Sequence, residues 1–111
     1  MFRMLILAIL SCISFSSFSM AGWSNGQQVI KHIIWRPDYH GFYVDSSLYQ
    51  DINSCGGTSN LYLIDSTLTE KEVDRLYSLI LLAFSSNNKV HLWFSGCQGK
   101  IPIFTGLQVN K

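Results

Sequence analysis

The sequence has little net charge, and this scarcity limits the partners that the protein can have. Residues 22–111 carry seven basic and seven acidic side chains, so their charges balance at neutral pH. Proteins that bind nucleic acid backbones or anionic membrane surfaces instead concentrate positive charge on one face. The composition therefore predicts neither a nucleic acid partner nor a polybasic contact with a membrane.

The common sequence signatures of catalytic sites are also absent. The chain contains no Gly-x-Ser-x-Gly, no His-Glu-x-x-His and no glycine-rich phosphate loop. Its three histidines are His32, His40 and His91. A metal centre needs three or four ligands that converge, whereas histidines on strands are usually partly buried and hydrogen-bonded. We therefore predict a protein that is not an enzyme and that has no cofactor and no metal site.

No apolar segment is long enough for a comfortable membrane span. The most apolar segment, Met4–Ile13, follows a short basic start and is much shorter than the about 20 residues of a spanning helix. Ser19 and Ala21 place small side chains three residues and one residue before a cut after Ala21. This pattern predicts that residues 1–21 are a cleavable signal peptide and that residues 22–111 form one secreted or periplasmic domain.

Cysteine is scarce: the three are Cys12, in the N-terminal apolar segment, and the pair Cys55 and Cys97. Cys12 ends a segment, Ile9-Leu10-Ser11-Cys12, that loosely resembles a lipoprotein signal, so lipidation of Cys12 is an alternative to its removal with the signal peptide. Cys55 and Cys97 remain as a pair, which in an exported chain favours a disulfide. The chain has no Cys-x-x-Cys, so a redox pair is the weaker alternative. Such a disulfide would close a loop of about 43 residues and stabilise the domain by roughly 4 kcal/mol.

Hydrophobic periodicity predicts a mainly β domain with one helix. Alternating or β-branched segments predict five strands, and apolar residues three and four positions apart predict a long helix after the third strand. Two capping boxes compete for the start of this helix, one of Thr67 with Glu70 and one of Thr69 with Glu72. The predicted strands are residues 28–35, 42–48, 60–64, 89–95 and 101–109, and the helix is predicted to end near residue 84.

This order of elements, β-β-β-α-β-β, resembles the OB-fold, a five-stranded and partly open barrel. The segment from Leu76 to Cys97 carries a long aliphatic helix and then a strand that ends in Ser-Gly-Cys. It resembles the B subunits of pentameric A-plus-five-B bacterial toxins of the subtilase and pertussis-like branch, and also a set of short secreted proteins with the same strand end. The resemblance implies an OB-like barrel, a homo-oligomer, a host glycan as ligand and an exported enzymatic subunit as partner. No sugar-contact motif of these toxins can be matched here residue by residue.

Glycan binding also fits the residue types near the first predicted turn and on the fourth predicted strand. Sugars pack their C–H faces on aromatic rings, and their hydroxyls need short polar partners. The candidate ligand-binding residues are Arg36, Asp38, Tyr39, His40, Tyr43 and Trp93.

Alternatives to glycan binding remain open. Tyr43 and Trp93 would instead cover the second side of the sheet or a subunit interface. Self-association is a further option, because Trp35, Trp93 and the long helix supply more apolar surface than a small monomer easily buries. The alternative function for the protein as a whole is that of a small periplasmic structural or inhibitory protein that binds another protein.

Overall fold

The computed structural model describes residues 22–111. These residues contain six strands and one helix. The predicted signal peptide and Cys12 lie outside the described residues. In chain order the elements are β1 Gly22–Trp23, β2 His32–Arg36, β3 Tyr39–Tyr43, β4 Leu61–Ile64, α1 Glu70–Ser86, β5 Lys89–Gln98 and β6 Ile101–Asn110.

All six strands belong to one mixed, open sheet in the order β1-β5-β6-β4-β3-β2. The β4 and β6 strands are parallel, and the other neighbouring strands are antiparallel. The mainly β domain with one helix is confirmed, whereas the five-stranded barrel is not, because β1 and β2 occupy the two ends of the strand order.

The predicted boundaries differ most at the first two strands. The first strand, predicted at residues 28–35, is interrupted: Gln28 forms an isolated antiparallel bridge with Val90, and regular pairing with β3 begins only at His32. The second strand ends at Tyr43 rather than at residue 48, because the chain turns back where the Leu48 amide donates to the Asp45 carbonyl oxygen at 2.9 Å.

The core lies between one face of the sheet and α1. Alternation along each strand points every second side chain to this face, as Val90, Leu92 and Phe94 show on β5. Residues that join them in the buried cluster are Ile30, Phe42, Val44, Tyr62, Ile64, Leu76, Ile80, Ala83 and Phe104.

The helix begins with the second of the two capping boxes. The Thr69 hydroxyl accepts a hydrogen bond from the Glu72 amide, and the Glu72 carboxylate accepts one from the Thr69 amide. At the other end Asn87 adopts a left-handed conformation, with φ of 58°, and its amide bonds the last turn of the helix. Within residues 22–111, no helix is long and apolar enough to cross a membrane.

The predicted disulfide between Cys55 and Cys97 is confirmed, with Cα atoms 5.6 Å apart. It fastens the long loop between β3 and β4 to the end of β5. The Asp51 carboxylate shapes the loop there, because its two oxygens accept hydrogen bonds from the Cys55 and Gly56 amides at 2.7 and 2.8 Å.

We expect replacement of both cysteines, Cys55→Ser with Cys97→Ser, to lower the free energy of unfolding by roughly 4 kcal/mol, because the bond joins residues 42 apart. Urea unfolding of the oxidised parent and of the variant measures this difference. The reduced parent is the matched control and should unfold near the variant. Equal midpoints for the oxidised parent and the variant would show that the disulfide adds nothing to stability.

Candidate functional site

The β2–β3 hairpin positions most of the candidate ligand-binding residues. Its loop is only Pro37 and Asp38, and Arg36 pairs with Tyr39 across it. Gly41 permits the close approach of β3 to β4, since a Cβ atom at Gly41 would lie 2.0 Å from the Tyr62 carbonyl oxygen. The short loop and this close contact hold the hairpin firmly against the rest of the sheet.

An aromatic platform, formed by Trp35, His40 and Tyr77, lies where this hairpin meets α1. The rings of Trp35 and His40 are stacked, with centroids 3.5 Å apart and planes 13° apart. Tyr77 of α1 meets the Trp35 ring edge-on at 4.5 Å. Trp35 is nevertheless 52% exposed, so the platform presents an indole that is held in position from two elements and still open to solvent.

The platform is an extension of the core face of the sheet. Trp35 pairs with His40 in the same way that Ile33 pairs with Phe42, and residues directly opposite on antiparallel strands share a face. Phe42 is fully buried and Ile33 packs against the core. Trp35 and His40 therefore lie beyond the end of the core, next to the helix.

Three other candidate residues lie on the opposite face of the hairpin. There the guanidinium carbon of Arg36 lies 5.7 Å from the centre of the Tyr39 ring, within the range of a cation–π contact. Tyr43 contacts His32 edge-on, with ring centroids 6.2 Å apart. Asp38 is exposed in the loop between the two faces.

Trp93 is separate from all of these residues. It lies on β5, which β6 and β4 separate from the hairpin in the strand order. Its ring packs edge-on against Trp23 of β1 at 5.1 Å, and Trp23 also contacts the His91 ring at 4.7 Å. The structure thus divides the six candidate residues among the platform, the hairpin loop, the opposite face of the hairpin and the far end of the sheet.

Sequence reasoning missed Trp35 and Tyr77 as site residues. Trp35 lies directly opposite His40 because the hairpin loop has only two residues, whereas the predicted strands, which end at residue 35 and resume at residue 42, left His40 in the turn. Tyr77 belongs to the apolar stripe of the helix, and nothing in its spacing separates a residue at the flank of the stripe from one in the core.

The groups with clearly shifted pKa values lie away from the platform. Burial raises the pKa of Tyr62, whose hydroxyl donates to Gln28 Oε1 at 3.0 Å and accepts from the Gln50 amide at 2.7 Å. Burial likewise raises the pKa of Tyr49, which stacks on Tyr62 with ring centroids 5.3 Å apart. These tyrosines belong to the packing of the core.

The side chains of the platform can contact a ligand by stacking and by hydrogen bonding. The buried Nδ1 of His40 has no hydrogen-bond partner among residues 22–111. In that same range no three His, Cys, Asp or Glu side chains come together in a group that would hold a metal ion. The arrangement suits a ligand that presents an apolar face to Trp35 and polar groups at its rim.

Comparison with known proteins identifies no family for this sequence. No protein-family model matches it, and no curated protein or solved structure gives a significant match.

Asp65 is a buried acidic residue between the end of β4 and the start of α1. Burial by itself would raise the pKa of Asp65, but hydrogen bonds from the Thr67 amide, the Thr67 hydroxyl and the Ser95 hydroxyl outweigh it and lower the pKa below its usual value. A lowered pKa in the folded state means that the ionised carboxylate favours folding. This contribution is complete above the unfolded pKa of 3.8 and is lost as the pH falls through the folded value.

We therefore expect Asp65→Asn to destabilise the domain at pH 7 and to do so less at pH 2, because the parent carboxylate becomes protonated as the pH falls through its folded pKa. Urea midpoints of parent and variant at the two pH values measure the change. Asp45→Asn, at an exposed turn position, is the matched control and should alter neither midpoint. A gap between parent and Asp65→Asn that is equally wide at both pH values would contradict this account.

Proposed function

We propose that this protein is an exported, non-enzymatic binding module that recognises glycans at the aromatic platform. The observation that carries the proposal is Trp35, which stacks on His40, contacts Tyr77 and keeps half of its surface open. A sugar ring packs its C–H face on such an indole. Since the contacts to His40 and Tyr77 already restrict the indole, little side-chain entropy is lost when a ligand binds.

An exposed acidic side chain beside the platform would complete a sugar site. Asp38, three residues after Trp35, is exposed in the hairpin loop, and its carboxylate is able to accept hydrogen bonds from sugar hydroxyls. Arg36 lies on the opposite face of the hairpin against Tyr39, and the Nδ1 atom of His40 is buried, so neither belongs to the proposed rim.

The topology supports the finer proposal of an OB-like, partly open barrel. Gln28 bridges β5 at one end of the sheet, and three residues later the Lys31 amide donates to the Tyr43 carbonyl oxygen of β3, near the other end. Three extended residues span about 10 Å, so the two ends of the sheet approach each other here. Residues 22–36 would then be one interrupted first strand, shared by both ends.

An OB-like barrel would also give the hairpin loop a role. In OB-folds the loop between the first two strands takes part in binding oligosaccharides. In this chain the corresponding loop is Pro37–Asp38, beside Trp35. The resemblance to toxin B subunits extends the proposal to a host glycan as ligand and an exported enzymatic subunit as partner, and the disulfide is consistent with an extracellular or periplasmic location.

A second candidate function is protein binding, which the exposed apolar residues of α1 favour. Leu81, Leu82 and Phe84 are each about half exposed near the end of the helix, and apolar surface of this kind is typical of protein interfaces. A module of this type would not depend on Trp35.

We expect Trp35→Ala to weaken binding to any glycan recognised by the parent by about fivefold or more, because loss of the ring removes stacking worth about 1 kcal/mol or more. A glycan array identifies the ligand, and titration calorimetry then measures its affinity for the two proteins. Trp23→Ala is the matched control, since Trp23 is similarly exposed but lies at the other end of the sheet.

Thermal unfolding shows whether Trp35→Ala has kept its fold. Equal affinity of folded Trp35→Ala and parent would refute the site. A parent that binds no glycan but captures an exported protein would refute glycan recognition and favour the second candidate.

A further inference from the structure

The β2 strand lies at one end of the sheet, and one of its two sides has no neighbouring strand within residues 22–111. The hairpin loop has two residues, so the pair that closes it, Arg36 and Tyr39, exchanges backbone hydrogen bonds. Pairs of this kind alternate along antiparallel strands with pairs that exchange none. Ile33 and Trp35 belong to the second kind, and their amide and carbonyl groups therefore point away from β3, to the free side of β2.

A further strand can reach these backbone groups. In the part of the chain that the structure describes, β3 is the element whose backbone runs along β2, and Trp35 is exposed. A row of unpaired amide and carbonyl groups is a template for strand pairing, and many proteins use such an edge to bind an extended segment of a partner. The free side of β2 is therefore suited to accept one added strand.

Basic side chains lie at both ends of this edge. Lys31 directly precedes β2 and Arg36 ends it, and both are exposed. The sequence contains no acidic residue from Gln28 to Pro37. Opposite charges on neighbouring strands stabilise a sheet, whereas like charges destabilise it. Acidic side chains on the added strand would therefore favour pairing here, and basic ones would oppose it.

A second copy of β2 does not fit this edge. Antiparallel pairing of two copies through Ile33 and Trp35 sets Arg36 of each copy opposite His32 of the other. Lys31 then lies close to the same guanidinium, and a parallel copy in register would set Arg36 beside Arg36. Basic residues on an edge strand are a common protection against such self-pairing. The charges therefore favour a segment of another protein over a second copy of this chain.

We propose that the free side of β2 binds an extended acidic segment of another protein as an added strand. The backbone groups of Ile33 and Trp35 exchange hydrogen bonds with this segment. Its acidic side chains lie on the face of the sheet that carries Arg36, and its apolar side chains lie on the other face, against the exposed Trp35. The partner is thus a protein with an accessible segment that alternates acidic and apolar residues. The inference does not depend on glycan binding.

Two peptides of alternating sequence test the choice of charge. A peptide of four Glu-Val repeats is the probe, a peptide of four Lys-Val repeats is its matched control, and fluorescence anisotropy with the exported, disulfide-bonded protein measures both affinities. We expect the Glu-Val peptide to bind at least about tenfold more tightly, because attraction replaces repulsion at each end of the edge. Lys31→Glu with Arg36→Glu should reverse this preference. Thermal unfolding verifies that this variant is folded, and Arg36→Glu alone replaces it if it is not.

Methylated peptides test the backbone contact. Glu-Val peptides that are N-methylated on every valine or on every glutamate each lack the amide donors of one edge. Since only one edge faces β2, one of the two should bind at least about tenfold more weakly than the other. Equal affinities of the two methylated peptides would overturn the proposal, as would a parent that shows no preference for Glu-Val or does not bind it at millimolar concentration. A dimeric parent that Ile33→Pro makes monomeric would also overturn it, because a second copy would then occupy the edge.

Discussion

The buried carboxamide of Gln28 joins segments of this domain that are distant in the sequence. Its side chain is fully buried; Nε2 donates to the Leu48 carbonyl oxygen at 2.8 Å, and Oε1 accepts from the Tyr62 hydroxyl. Its backbone exchanges two hydrogen bonds with Val90 of β5. One residue thus connects β5, β4 and the start of the long loop, and a buried amide that lost these partners would be costly.

The candidate site depends on this connection through a short chain of contacts. Tyr62 pairs with Phe42 in β3, and two residues before Phe42 the ring of His40 supports Trp35. In the same region residues 28–31 run from the bridge between Gln28 and β5 to the hydrogen bond between the Lys31 amide and the Tyr43 carbonyl oxygen of β3. A firm frame at Gln28 therefore holds an exposed indole at a fixed place, which is what a rigid binding surface requires.

Local sequence patterns were sufficient to predict the elements that local interactions determine. The acidic first turn and the apolar stripe predicted α1, strand alternation predicted β5 and β6, and the even cysteine pair predicted the disulfide. The interruption of the first strand was not predictable in this way, because it depends on long-range partners of Gln28. For the same reason the spacing of Tyr43 and Trp93 did not reveal that they lie on different parts of the sheet.

The coupling between Gln28 and Tyr62 is the most direct test of this account. A double-mutant cycle of Gln28→Leu, Tyr62→Phe and the combined variant, followed by urea unfolding, isolates the free energy of their interaction. We expect a coupling of about 1 kcal/mol or more, since the hydrogen bond is buried and joins Gln28 to β4. Additive effects of the two substitutions, within about 0.5 kcal/mol, would contradict it.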